Sequence, residues 1–425
     1  MTTVISSVIC FLAILIGWKI WPHRLNPIVT GALVWTPAIF LATISREFIS
    51  PIYDHLNHEM GISIYLALVL GFVSFSIGVY VTLLFIKRSS WGDVAINRRK
   101  INIHEGRLLI LFFVGLGVYL YAILNSGLTD ILNLNQVEVS DSRYALHLGT
   151  LSFLVIFIDV ASVIFFARML ETGRYLYCLP ILISIFFHMA TLQKSPTLFL
   201  VTSIIFVSLI YLREARAILI GTVTRRFVIG LILVMLAILL FLMNSLRGIG
   251  SNPMTTFEWP WFEQIYIYSG ATAILNLSSA IEGLVPSNPP LYGLILARPI
   301  SWHFIDRELL DIGLHFQGVN AATYLIYPWG DFRWAGFLIT PFLTGVSIIF
   351  FYSLALKKTV SGIMLGVIAF KAIIFTPNTD VIFDPTTAIV IFVALIAHLI
   401  VQKRVRKLKC RVAARDQLKE KSNAI

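Results

Sequence analysis

The sequence predicts an all-α polytopic integral membrane protein, with about eleven transmembrane helices and one large outside loop. Three observations predict it. Hydrophobic residues make up 58% of the 425 and charged residues 13%, where a soluble domain carries about 25% charged residues. Mean hydropathy is +0.85, which leaves too little polar surface to coat a water-soluble particle. Apolar runs close to the roughly 20 residues that cross a bilayer recur along the whole chain.

Those runs lie at about 4–21, 27–45, 62–86, 108–124, 151–169, 175–192, 196–212, 227–244, 335–356, 359–376 and 386–402. No Lys or Arg precedes the first, and Lys19 stands at its far end, so it is expected to persist as a span rather than be cleaved as a signal. The organisation expected is an eight-span bundle over 1–244, a large outside loop over 245–334, a three-span bundle over 335–402 and a basic tail over 403–425. The two halves show no matching repeat of hydropathy, which argues against an inverted-repeat transporter.

Charge orients the bundle. If the segments alternate and the C-terminus is cytoplasmic, the inside set is Lys19, Arg24, the stretch Lys87 to Arg107, Arg168, Arg174, the stretch Arg213 to Arg226, Lys357, Lys358 and the tail from Lys403 to Lys421. That set holds 25 of the 33 basic residues. Arg46, Arg143, Lys194, Arg247, Arg298, Arg307 and Arg333 then face out, and Lys371 falls within a span. The positive-inside rule selects this orientation, with an outside N-terminus. The net charge of +11 is thus an orientation anchor that also meets anionic phospholipid, and nucleic acid is not an expected partner. Three cysteines, Cys10, Cys178 and Cys410, lie in spans or in the tail, so no exported disulfide is expected. No Cys/His cluster has zinc spacing and no Gly-Lys-Ser/Thr loop is present, so neither metal nor nucleotide cofactor is expected.

Within the long loop, "FEQIYIYSGATAILNLSSAI" at 262–281 is nearly apolar enough to span, yet carries Glu263, Gln264 and Asn276. It is expected as an amphipathic or re-entrant helix at the outer interface. Prolines at 286–290 and Pro299 break the chain after it.

The loop carries four arginines, Arg247, Arg298, Arg307 and Arg333, and no lysine. A guanidinium is a planar fork that meets phosphate oxygens two at a time, whereas an ammonium is a hydrated point charge. The set therefore suits a diphosphate, although Glu258, Glu263, Glu282, Asp306, Glu308, Asp311 and Asp331 offer enough carboxylates to pair with every one. Arg247 follows directly on the span at 227–244, at head-group depth, where snorkelling is the bland alternative.

Five of the nine tryptophans (Trp259, Trp261, Trp302, Trp329, Trp334) fall in the loop with Tyr266, Tyr268, Tyr292, Tyr324 and Tyr327. An interfacial belt explains single rings, while their concentration beside amides and carboxylates suits a sugar. "NAATYLIYPWGDFRWAG" at 320–336 gathers Asn320, Thr323, Asp331 and Arg333 at one membrane boundary. Candidates for a general base are Glu258, Glu263, Asp306 and Asp331, and His303 and His315 are lone loop histidines. Asp331 and Arg333 diverge whether the chain is extended or helical. Each therefore faces another partner, and Asp331 reads either as a base or as an anchor for a loop arginine such as Arg298. In the spans, Asp159 and Lys371 lie at matching depth, roughly 10–15 Å from the outer ends of their helices, as a functional pair or a structural one.

The stretches "NSLRGIGSN", "YIYSGATAILN" and "VNAATYLIYPWGDFRWAGF" together resemble the Wzy-type polymerases of O-antigen and capsule repeat units. The likeness covers the whole topology, and covers residues from about 244 to 340. It implies a glycosyltransferase-type polymerase of the inner membrane with a periplasmic loop. Such an enzyme joins undecaprenyl-diphosphate-linked oligosaccharides without metal or nucleotide, in polysaccharide and lipopolysaccharide biosynthesis. It also implies a chain-length regulator as partner. Under this resemblance Arg247, Arg298 and Arg333 bind the lipid diphosphate. Tyr266, Tyr268, Asn276, Asn320 and Thr323 bind sugar, and Asp331, Glu258 or Glu263 supplies the base. In one departure, Arg333 stands where the pattern after Asp-Phe has glycine, so no tight backbone turn is expected there. The rivals are an O-antigen ligase, a lipid-linked oligosaccharide flippase or other transporter, and an outside-facing acyltransferase.

Overall fold

The computed structural model describes residues 14–15, 17–19, 26–44, 60–86, 101–125, 152–190, 194–212, 270–284, 289–301, 304, 323–377 and 381–403. Most of these residues are helical, the rest being turns and short connections, with one isolated antiparallel bridge between Ile103 and Gln402. Four helical stretches are long and apolar enough to cross a membrane: Ile62–Ile86, Glu105–Asn125, Phe153–Thr172 and Ile326–Ala355. The expected span at 227–244, and most of that at 4–21, lie outside the described residues.

In chain order the first helices are α1 (Pro27–Ile44), α2 (Ile62–Ile86), α3 (Glu105–Asn125), α4 (Ser152–Thr172), α5 (Leu179–Ala190) and α6 (Lys194–Leu212). They are followed by α7 (Ala271–Ile281), the single turn α8 (Arg298–Ser301), α9 (Ile326–Phe332), α10 (Gly336–Ala355), α11 (Val360–Phe375) and α12 (Pro385–Val401). Side chains set several starts. Asn26 Oδ1 accepts from the amides of Ile28 at 3.0 Å and Val29 at 3.3 Å. Thr359 caps α11 through Gly362 N at 3.1 Å. Asp384 caps α12 through Thr386 N at 2.6 Å, with Pro385 at the first helical position. The run at 175–192, read as one span, divides into a 3-10 turn (Tyr175–Cys178) and the 12 residues of α5.

Helices α2 and α10 run parallel at close range because small residues face each other. A Cβ on Gly78 would lie 2.3 Å from Phe342 O, and one on Gly345 would lie 2.4 Å from Phe75 O. Ser74 Oγ donates to Leu338 O between the same helices. This close backbone approach is how helices associate where lipid removes the hydrophobic drive between them. Around the pair lie two apolar cores. The larger includes Phe75, Phe112, Ile164, Phe206, Ile348 and Val393, and the smaller Trp35, Ile64, Ile274, Ile326, Trp329 and Phe337.

The two ends of the bundle differ in charge. At one end Arg168 binds Glu105 at 2.7 Å and Glu171 at 2.9 Å. Tyr177 donates to Glu105 at 2.7 Å, Tyr211 to Glu171 at 3.0 Å, and Ile101 N to Glu171 at 2.8 Å. At this end Arg107 also donates to Ile400 O, Lys403 N to Asn102 O, and Lys358 lies 4.8 Å from the Tyr211 ring. Residues expected together on the cytoplasmic side thus come together at one end. The opposite end holds α7, α8, α9 and the starts of α2, α10 and α12.

Candidate functional site at the Asp331 end

Asp331 is 1% exposed, in a short helix just before α10. Its two carboxylate oxygens accept from the backbone amides of Ile295 at 3.0 Å and Leu296 at 2.7 Å. Two backbone bonds run beside them, Leu291 N to Gly330 O at 3.2 Å and Tyr292 N to Asp331 O at 3.0 Å. Four hydrogen bonds therefore latch residues 291–296 onto α9. Of the two readings of Asp331, this geometry supplies an anchor, and what it holds is backbone rather than an arginine.

The latched segment leads into Arg298, which is 9% exposed. Its guanidinium lies 4.1 Å from the Tyr327 ring centroid, and Nη2 donates to Phe383 O at 3.5 Å, just ahead of α12. Stacking on an aromatic face suits a weakly hydrated guanidinium and fixes the plane in which its N–H groups point. Arg333 lies 5.2 Å from the Trp329 ring and donates to Trp329 O at 3.3 Å. Trp329 stacks on Phe337 with centroids 5.8 Å apart, while Trp334 meets both edge-on. Asp331 and Arg333 thus engage different partners.

Arg333 has φ +54° and ψ −132°, backbone that glycine adopts and other residues seldom do. The tight turn not expected at this position is present, and arginine occupies it. The reason is local: helix α9 must end and α10 begin within three residues, and the change of direction is absorbed at 333. A Cβ on Gly336 would lie 2.1 Å from Pro328 O, so the two helices are close at this corner. Arg333→Gly and Arg333→Ala both delete the guanidinium, and only glycine relieves the backbone. Thermal unfolding in detergent is expected to place the Gly variant above the Ala variant by about 1 kcal/mol; equal stabilities would contradict strain at 333.

Thr323 and Asn276 take interior places. Thr323 Oγ1 accepts from Leu325 N at 3.1 Å, and the next amide, Tyr324 N, donates to Thr376 O at 3.0 Å. Thr376 Oγ1 in turn accepts from Trp35 Nε1 at 2.9 Å, tying α1 to the same corner. Asn276 is 0% exposed on α7, where every residue from Ala271 to Ala280 is buried. A helix lying flat on an interface would expose one face, whereas this one is enclosed. It starts at Gly270, with φ +91°, where a Cβ would lie 2.4 Å from Pro377.

The structure thus brings Asp331, Arg298 and Arg333 together, with Thr323 at the edge of the group and Asn276 in the interior of α7. Glu258, Glu263, Arg247, Tyr266, Tyr268 and Asn320 lie outside the described residues, as do Asp306, Arg307, His303 and His315. Below Tyr324 a cavity of about 50 Å³ opens between α1 and α2, lined by Gly31, Trp35, Tyr65, Phe72, Tyr324 and Ile373.

Comparison with known proteins yields no matching family model, no similar characterised protein and no similar solved structure.

One buried pair went unread in the sequence. His188 Nε2 and Asp159 Oδ1 are 2.7 Å apart between α5 and α4, with the Tyr119 ring 5.6 Å from the imidazole. The signal available was the depth of His188 near the end of an apolar run, which matches that of Asp159. Among the described residues the ion-pair partner of Asp159 is this histidine and not Lys371.

Proposed function

We propose that the chain polymerises lipid-linked oligosaccharide repeat units at the outer face of the inner membrane, with the lipid diphosphate as leaving group. The observation that carries this reading is the latched shelf: Asp331 holds residues 291–296 so that Arg298, backed by Tyr327, is fixed at the bundle end opposite the basic Arg168 end. By the positive-inside rule the Arg168 end is cytoplasmic. The shelf is then periplasmic, in an eleven-span topology with 245–334 outside. The acceptor hydroxyl attacks the anomeric carbon, its proton passes to a carboxylate, and the sugar–diphosphate bond breaks. Guanidinium groups stabilise the negative charge that grows on the departing diphosphate, by charge-assisted hydrogen bonds held in place beforehand. Both oxygens of Asp331 already accept from amides, which moves the base role to Glu258 or Glu263. The apolar cavity beside Tyr324 suits a stretch of lipid chain below the head group.

A flippase is the second reading, favoured by the buried Asp159–His188 pair. The two separate in detergent, where no membrane remains to cross. Purified protein with undecaprenyl-diphosphate-linked repeat units and no nucleotide is expected to yield a ladder of polymer. Repeat units left at unit length would refute polymerisation. In cells, deletion is expected to leave lipopolysaccharide with core plus a single repeat unit, whereas loss of a flippase or a ligase leaves bare core.

A further inference from the structure

The cavity beneath Tyr324 has two helices for walls and is closed by a third. Helix α1 lends Gly31, Trp35 and Ile39, spaced by four and so on one face. Helix α2 lends Tyr65, Leu68, Val69, Phe72 and Phe75. Ile373 and Thr376 at the end of α11 close it, together with Tyr324 and Leu325. Its polar edge is engaged within the protein: Trp35 Nε1 donates to Thr376 Oγ1 at 2.9 Å, and that hydroxyl donates to Ile373 O at 3.0 Å. The Trp35 and Tyr324 rings meet edge-on, with centroids 6.0 Å apart. Walls of this kind, aromatic and apolar, suit an apolar guest.

Gly31 keeps the space open. A Cβ added there meets Ile373 Cγ2 at 3.9 Å, an ordinary contact, and no closer atom among the described residues. Neither a close backbone nor a positive φ requires glycine at 31, although glycine inside a helix is destabilising relative to alanine. What a larger side chain there would remove is the cavity.

The cavity also lies in the apolar layer. On α2 it runs from Tyr65 to Phe75, roughly 5–20 Å along the helix from its start at Ile62. Tyr65, Val69 and Phe72 are only partly buried. The exposed side chains beside them in α2, Leu66 and Val73, are apolar, so the mouth faces hydrocarbon. An engineered apolar cavity of about 150 Å³ stays dry and holds benzene. The space here, about 50 Å³, holds less: a branch from a chain rather than a length of it. A straight acyl chain has no branch to offer and must bend out of its layer to enter. An isoprenoid chain carries a methyl group on every unit, projecting sideways.

We propose that this cavity reads the carrier lipid: it seats a methyl-bearing isoprene unit of the polyprenyl chain and leaves straight acyl chains to the bilayer. This rests on the polymerase reading for the diphosphate lipid, and on the cavity for the preference for a branched chain. Leu325 leads directly into α9, so a seated unit lies against the start of the element that carries Asp331.

The test uses the full-length protein in nanodiscs of phosphatidylcholine. Undecaprenyl diphosphate and hexadecyl diphosphate are titrated separately, with thermal unfolding as a further readout. Gly31→Leu fills the cavity and is expected to weaken undecaprenyl diphosphate about tenfold, the worth of about two buried methylene groups. Its affinity for hexadecyl diphosphate should be unchanged, and its unfolding temperature equal to or above that of the wild type. Gly31→Ala should bind within severalfold of the wild type. Val69→Phe narrows the mouth from α2, and the same selective loss is expected if Gly31→Leu does not accumulate. Unchanged affinity for undecaprenyl diphosphate in a folded filled variant overturns the proposal. Equal losses for the two probes would also overturn it, by showing no preference for the branched chain. Selective, Gly31-dependent binding without polymer formation by the wild type would retain the pocket and reject the polymerase. Polymer formation by the wild type, with binding indifferent to Gly31→Leu, would do the reverse.

Discussion

Leucine at position 345 is expected to stop the protein accumulating in the membrane. Gly345 faces α2 at the level of Phe75, and the contacts run both ways: an added Cβ meets Phe75 O at 2.4 Å and Val79 N at 3.0 Å, while a Cβ on Gly78 meets Phe342 O at 2.3 Å and its carbonyl carbon at 3.1 Å. All four obstructing groups are backbone, so no rotamer change makes room and the helices must separate. Separation costs the Ser74–Leu338 bond and opens the core around Ile348 and Ile349. Overpacking a tight core costs about 1–3 kcal/mol for a modest excess, and a whole leucine against backbone costs more, out of a total stability of about 5–15 kcal/mol. Gly345→Ala should be intermediate. Gly117 in α3 is the control, since nothing lies within 4 Å of a Cβ added there. Gly117→Ala should be neutral or stabilising by up to about 1 kcal/mol. Membrane accumulation and detergent unfolding of the three variants measure this, and a Gly345→Leu protein as abundant as Gly117→Ala would show that α2 and α10 are not in close contact.

The second large effect is at Asp331. Asn keeps the shape, but one carboxylate oxygen becomes an NH₂ that faces the amide of Ile295 or Leu296 with no acceptor between them. Loss of a hydrogen bond to a charged group, with a buried donor left unmet, costs about 1.5–3 kcal/mol. The latch over 291–296 should open, Arg298 should leave its position against Tyr327, and polymer formation should fall on the order of a hundredfold. An anchor and a base are distinguished by what accompanies that fall. For the anchor, limited proteolysis between 285 and 304 should quicken and the unfolding temperature drop. A protein that loses polymer with unaltered proteolysis and stability would return Asp331 to the base role.

Legibility in the sequence differed by type of feature. The apolar runs of α2, α3, α4 and α10 were plain because length and composition alone mark a span. The gathering of Arg107, Arg168, Lys358 and Lys403 at one end follows from a count of charges. The latch was half legible. That Asp331 and Arg333 diverge follows from their spacing, but that the carboxylate would take backbone amides from a segment 35 and 36 residues earlier has no local pattern. Arg333 misled for a physical reason: the turn is imposed by the packing of Gly336 on Pro328, so a residue ill-suited to positive φ occupies it. The clasp of Glu105, Arg168, Glu171, Tyr177 and Tyr211 joins four separate stretches, and no spacing rule reaches across them. His188 was overlooked because a lone histidine in an apolar run carries no periodic signal.

The α2–α10 pairing also sets a timetable for synthesis. Ser74 and Leu338 are 264 residues apart in the chain. At about 5–20 residues per second of translation, α2 is complete on the order of tens of seconds before its partner exists. During that interval its row of Gly71, Ser74 and Gly78 has only lipid or the insertion machinery against it. Closure of the bundle is therefore a late event, decided after most of the spans are already in the bilayer. A ribosome stalled before residue 345 leaves an unclosed bundle, with the small side chains of α2 still lacking the helix they pack against.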